Sequence, residues 1–150
     1  MFGKDWKPVF DTDIFATYRK YLTKKDFQIM SLSILVLYEL VARPVRQEEF
    51  DLFDGWREKY KNLDRLIIPT YDDIWTSAQA IRKMRLDEQR QHKGTTPAME
   101  NATAFQNDAL IARTAWTNNC FIVTADVDDF SLFLPFMKNL EIVSAEDFFS

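Results

Sequence analysis

Three glycines and five prolines in 150 residues leave little turn-making material. That scarcity argues against an all-β fold, which needs a tight turn after almost every strand. Cys120 is the one cysteine, so no intrachain disulfide can form, which fits a reducing compartment. One cysteine and one histidine, His92, also argue against a structural zinc site. Gly3, Gly55 and Gly94 are too scattered for a glycine loop that cradles phosphate. The longest apolar stretch, Ile29 to Ala42, is shorter than the ~20 residues of a membrane helix, and it carries Glu39. The opening MFGKDWKPVF lacks the continuous apolar segment of a signal peptide. A soluble, cytoplasmic protein is expected. Positive charge is also short: the net charge of −4 argues against a protein that coats nucleic acid. It leaves open an enzyme that meets phosphate through bound metal ions.

Apolar material is plentiful. At 47% hydrophobic and 15% aromatic, with 13 Phe, the chain can fill a sizeable core, and its length suits one domain spanning 1–150. Val9-Phe10-Asp11-Thr12 reads as a short strand ending in acid, followed by a helix capped by Asp13 and running to Leu22. Phe27 to Ser31 reads as a strand, Ile34 to Ala42 as a very apolar helix stopped by Pro44, and Gln47 to Asn62 as a third helix. Leu66 to Pro69 is a strand. Asp72 to His92 is a long helix with Ile74, Trp75, Ala78, Ile81 and Leu86 inward. A loop follows to Asn101, containing Gly94-Thr95-Thr96-Pro97. Thr103 and Gln106 then form a capping box for a helix to Asn118. Cys120 to Thr124 is a buried strand, Asp129 to Phe136 a short helix, and Leu140 to Val143 a last strand. Strands alternating with helices imply βαβ units: an α/β fold with a central parallel sheet covered on both faces, three layers in all.

Within this pattern several acids stand out of place. Glu39 sits among Ile34, Leu35, Val36, Leu37, Tyr38, Leu40, Val41 and Ala42, a helix with no polar face. A lone buried carboxylate costs several kcal/mol unless it is paired. Asp108 has Ala104, Phe105, Ile111 and Ala112 as face neighbours, so it occupies the apolar stripe of its helix. Asp11 ends the first strand, and Asp126 lies two residues past Thr124. The carboxyl ends of strands in an open parallel sheet are where ligands bind. Taken singly, each acid has an ordinary explanation: a rim position, an ion pair, a cap or a turn. Taken together they point to clustered carboxylates, whose repulsion a hard cation such as Mg²⁺ or Mn²⁺ would cancel.

Val9-Phe10-Asp11-Thr12-Asp13-Ile14-Phe15 resembles the opening strand of PIN-domain ribonucleases. Ser33 to Leu40, with Glu39 as its acid, resembles their second motif. Asn107-Asp108-Ala109-Leu110-Ile111-Ala112-Arg113 is similar to the third, and Thr124-Ala125-Asp126-Val127-Asp128-Asp129-Phe130 to the fourth. Ile142 to Phe148 fits the family's last strand. Within the family, VapC-like toxins of bacterial toxin–antitoxin pairs are the nearest subgroup. The resemblance implies a metal-dependent endoribonuclease, commonly a homodimer, held inactive by a cognate antitoxin. Asp11, Glu39, Asp108 and Asp126 would be its metal-site acids, holding one or two Mg²⁺ or Mn²⁺ ions, with Asp129 assisting. Two departures stand out. The Glu39–Asp108 stretch is long, and Asp126 stands where many members have Asn, so Asp126 and Asp129 both remain candidates for the fourth acid.

Other readings compete. A non-catalytic PIN-like module that binds RNA or protein is the alternative function. Asp11-Thr12-Asp13 also resembles the start of haloacid-dehalogenase-like phosphatases, but Phe15 departs from that motif. Arg82, Lys83, Arg85, Arg90 and Lys93 read more simply as a solvated helix face than as a phosphate-steering edge for RNA. Arg43, Arg46 and Arg113 are nearer in sequence to the acids. Aromatic residues in Ile14–Leu22 and Gln47–Tyr60 exceed what one small core requires, suggesting a homodimer surface and an antitoxin groove.

Overall fold

The computed structural model describes residues 5–92 and 102–150. Side chains are described for 5–90 and 104–150. The loop expected after His92, the His92 side chain, Lys93 and the proposed Thr103 cap therefore lie outside the described residues.

The chain opens with strand β1 (Lys7–Phe10), helix α1 (Thr12–Thr17) and a single 3-10 turn at Arg19–Tyr21. Next come α2 (Lys24–Ile29), β2 (Leu32–Ser33), α3 (Ile34–Ala42), α4 (Gln47–Asn62) and β3 (Leu66–Ile67). The long helix α5 (Tyr71–His92) is followed by α6 (Ala102–Thr117), β4 (Cys120–Thr124) and α7 (Val127–Ser131). A 3-10 turn at Leu134–Phe136, β5 (Ile142–Ser144) and α8 (Ala145–Phe148) complete it.

All pairings are parallel. β4 lies between β1, with Phe10 opposite Val123, and β5, with Thr124 opposite Ser144. β2 pairs with β3, and a bridge between Val9 and Ser31 joins this pair to β1. The spatial order is thus β3-β2-β1-β4-β5. The chain leaves β1 toward β2 on one side and later returns to β4 on the other, which opens a crevice at their carboxyl ends. All five residues of β4 are buried, as a strand covered by helices on both faces requires. Among the described residues no helix is long and apolar enough to cross a membrane.

Four expectations need correction. Phe27 to Ile29 is helical, because Thr23 and Asp26 form a reciprocal capping box: Thr23 Oγ1 accepts from Asp26 N, and Asp26 Oδ2 accepts from Thr23 N. The helix after β1 is short and is capped by Asp11, with Asp13 inside its first turn. Pro135 has no N–H to continue α7, so the expected Asp129–Phe136 helix breaks into a helix and a turn. Most consequentially, α5 is rotated from the expected face. Ile74, Trp75 and Ala78 are exposed, while Asp73, Ser77, Ala80 and Ile81 are buried. Asp73 sets that rotation. In the first turn it forms a capping box with Thr70, whose Oγ1 accepts from Asp73 N (3.1 Å) while Asp73 Oδ2 accepts from Thr70 N (2.9 Å), and its Oδ1 accepts from Arg113 Nε on α6 at 3.0 Å. The aromatic surplus is mostly core: Phe15, Phe53 and Tyr60 are buried, and Tyr18, Phe27 and Trp56 pack against them.

Candidate functional site

Asp11 stands where β1 becomes α1. The register places it beside Thr124 at the carboxyl end of β4, and its N–H donates to Val123 O at 3.0 Å. As N-cap of α1 it accepts at Oδ1 from Thr12 N (2.8 Å), while Oδ2 accepts from the Thr124 hydroxyl (3.0 Å). One turn into α1, Asp13 Oδ2 accepts from Ala125 N at 3.1 Å and lies 3.5 Å from Thr124 Oγ1. Its Oδ1 is buried without a partner. Glu39, half-buried on α3, accepts from the Thr12 hydroxyl at 2.9 Å. Thr12 and Thr124 therefore hold acids from three elements in fixed orientations.

Electrostatics tie in the remaining acids. Burial, then the charge of Asp13, pushes Asp11 up to about 7, with Glu39 adding to the rise; bonds from Thr12 N–H and the Thr124 hydroxyl oppose it. Asp13 is raised to about 6, by burial and then Asp126. Asp108 on α6 rises furthest, to about 8. Burial leads, followed by the charges of Asp11, Glu39, Asp129 and Asp126. Asp129 is raised too, by burial and then by its neighbours Asp126 and Asp128. What raises Asp11, Asp13 and Asp108 is burial and other carboxylates, and hydrogen bonds from Thr12 N, Thr124 and Ala125 N oppose the rise at Asp11 and Asp13. All five acids singled out in the sequence thus act on one another at one end of the sheet.

Neither family models nor curated protein sequences match the chain. Solved structures do. A chain of the DNA-bound VapBC crystal structure from Salmonella typhimurium is 17% identical at a TM-score of 0.51, covering 93% of this chain and 98% of that one. The fold is PIN-like. A chain of VapBC-1 from nontypeable Haemophilus influenzae is 15% identical at a TM-score of 0.49, covering 91% and 96%.

On this PIN-like frame one acid went unread in the sequence. Asp13 reads from the sequence as a helix cap, or as the second acid of the haloacid-dehalogenase-like start, and not as a metal-site acid, yet it sits in the cluster with an unpartnered buried oxygen. Its signal was the Asp-Thr-Asp spacing, which puts Asp13 two residues beyond a strand end. Arg113, by contrast, leaves the list of substrate-facing cations: it is held by Asp73 and its guanidinium lies over the Trp116 ring. Asp126 is exposed and acts on Asp13, whereas Asp129 is half-buried and acts on Asp108 ahead of Asp126.

The donor set suits a hard divalent cation: every group is a carboxylate, their charges are mutually unfavourable, and Asp13 Oδ1 lacks a partner. Among the described residues no three such side chains already stand in metal-ligating arrangement. Uptake of an ion would therefore involve side-chain adjustment.

Proposed function

We propose that this chain is a divalent-cation-dependent endoribonuclease acting in the cytoplasm as the toxin of a toxin–antitoxin pair. The observation carrying this reading is Asp108, half-buried beside Asp11, Glu39, Asp129 and Asp126 and pushed up to about 8. So many acids at one strand end cost stability, and among the described residues none of them forms an ion pair, which marks a site kept for chemistry. Likeness to a VapBC chain supports the toxin assignment and an antitoxin partner.

Asp11, Glu39, Asp108 and Asp126 would hold Mg²⁺ or Mn²⁺, with Asp13 and Asp129 beside them. When bound, the cation supplies Lewis acidity that makes water a competent nucleophile and stabilises charge on the phosphate. Thr124 fixes the Asp11 carboxylate and Thr12 fixes Glu39, so neither acid has to search for its position. Asp129, on the first turn of α7, would orient water. Phe50 and Tyr38 are exposed beside a groove of about 340 Å³ between α3 and α4, which we assign to the antitoxin or to a second copy.

The test uses protein freed of co-purifying antitoxin. RNA cleavage should require Mg²⁺ or Mn²⁺, stop with EDTA, and be lost in Asp11→Asn. Activity that persists in EDTA and vanishes in His92→Ala would refute the reading. A non-catalytic binding module would instead bind RNA or protein without cleaving, and would show no Mn²⁺ heat at these acids.

A further inference from the structure

Away from the acids, an open groove of about 380 Å³ lies between α5 and α6, within the volume range of small-ligand sites. Its apolar wall includes Ile81 and Leu110. Two neutral polar groups line it as well, Ser77 and Gln106. Ser77 is only 2% exposed, yet its Oγ has no hydrogen-bond partner. A buried hydroxyl left unmade costs free energy, and a ligand atom could satisfy it. Arg82 and Arg85 also line the groove, and among the described residues neither forms an ion pair. In a chain of net charge −4, unpaired guanidiniums beside an apolar pocket are out of keeping with a plain solvated face.

We propose that this pocket is a nucleotide subsite for single-stranded RNA. One unstacked base enters between α5 and α6, and its phosphate lies on Arg82 and Arg85. The aliphatic side chains of Ile81 and Leu110 pack against the flat face of the base through dispersion contacts. Ser77 and Gln106 offer hydrogen bonds to its edge, and the two guanidiniums suit phosphate geometry. Gln106 and Asp108 stand two residues apart on α6 and so face different sides of it, which sets the subsite roughly 10 Å, about one helix diameter, from the acid cluster. The assignment rests on the nuclease reading for its choice of RNA, but it can fail separately.

Fluorescence anisotropy with a labelled single-stranded RNA hexamer, in EDTA so that nothing is cut, measures this binding. The double variant Arg82→Glu/Arg85→Glu should weaken binding by roughly tenfold or more, and the salt slope should flatten by about 0.7 for the one phosphate no longer neutralised. Ala78→Phe fills the pocket from an exposed position, so it should fold normally by circular dichroism and still weaken binding. Ser77→Ala should weaken binding less, and in a manner that depends on the base at one position. Unchanged binding in folded Ala78→Phe and in the arginine variant would overturn the proposal. So would a dimer-to-monomer change in Ala78→Phe by light scattering, since the occupant would then be a second copy. Wild-type cleavage with unaltered binding in these variants sinks the subsite and spares the nuclease; binding as predicted without any cleavage does the reverse.

Discussion

Asp73 and Asp11 are both acids buried at helix starts, 1% and 6% exposed, yet they sit in opposite surroundings. Asp73 completes the capping box of α5 with Thr70 and is neutralised by Arg113 at 3.0 Å. Asp11 caps α1, but its leading electrostatic neighbours are other carboxylates, and it is pushed up to about 7. A buried acid given a cation is a structural part. A buried acid given more acids is held at a cost, which a fold tolerates where something else must bind.

The sharpest way to break that contrast is to neutralise each acid in turn. Asp11→Asn and Asp108→Asn should each lower metal-dependent RNA cleavage by roughly 10²-fold or more. Both should keep or raise the melting temperature in EDTA, because a charge held unfavourably has been removed. Asp73→Asn or Arg113→Ala should do the opposite. Breaking a buried pair costs about 3–5 kcal/mol, on the order of 10 °C in a domain of this size, with cleavage per folded molecule retained. An Asp11→Asn variant that melts like Asp73→Asn would erase the distinction.

Acidity should separate the two regions next. Asp11 and Asp108 are raised from 3.8 to about 7 and about 8, so the native state holds these protons more tightly than the unfolded chain does. Their contribution to stability is therefore full below about pH 4 and is lost as pH rises through about 7 to 8. Metal-free protein should melt lower at pH 8 than at pH 6, and Asp108→Asn should flatten that slope. Mn²⁺ must displace the same protons, so its affinity measured by calorimetry should climb across the same window. A metal-free melt that rises steadily to pH 8 would contradict both expectations.

Smaller effects refine the site. Saturating Mn²⁺ should stabilise by about 2.7 kcal/mol at a free concentration of about 100 times its dissociation constant, a shift seen in thermal melts and blunted by Asp11→Asn. Asp126→Asn should impair cleavage more than Asp129→Asn; the reverse order would move the fourth acid one turn along α7. The smallest effect is expected from His92→Ala, whose cleavage rate should match the parent because the proposed nucleophile needs no imidazole base.

Much of this was legible in the chain itself, because periodicity and misplacement are local signals. The helices Ile34–Ala42 and Gln47–Asn62 and the strand Cys120–Thr124 have the bounds their patterns announced. Glu39 and Asp108 were visible as charges where a core residue belongs. The rotation of α5, the pairing of Arg113 and the role of Asp13 were not visible. Asp73 and Arg113 lie 40 residues apart, and Asp13 meets Ala125 across 112. A one-dimensional pattern shows that a charge is out of place. Whether a cation or another acid is waiting beside it is decided by which distant segments the parallel sheet and its helices bring together, since burial and Coulomb energy depend on distance in space alone.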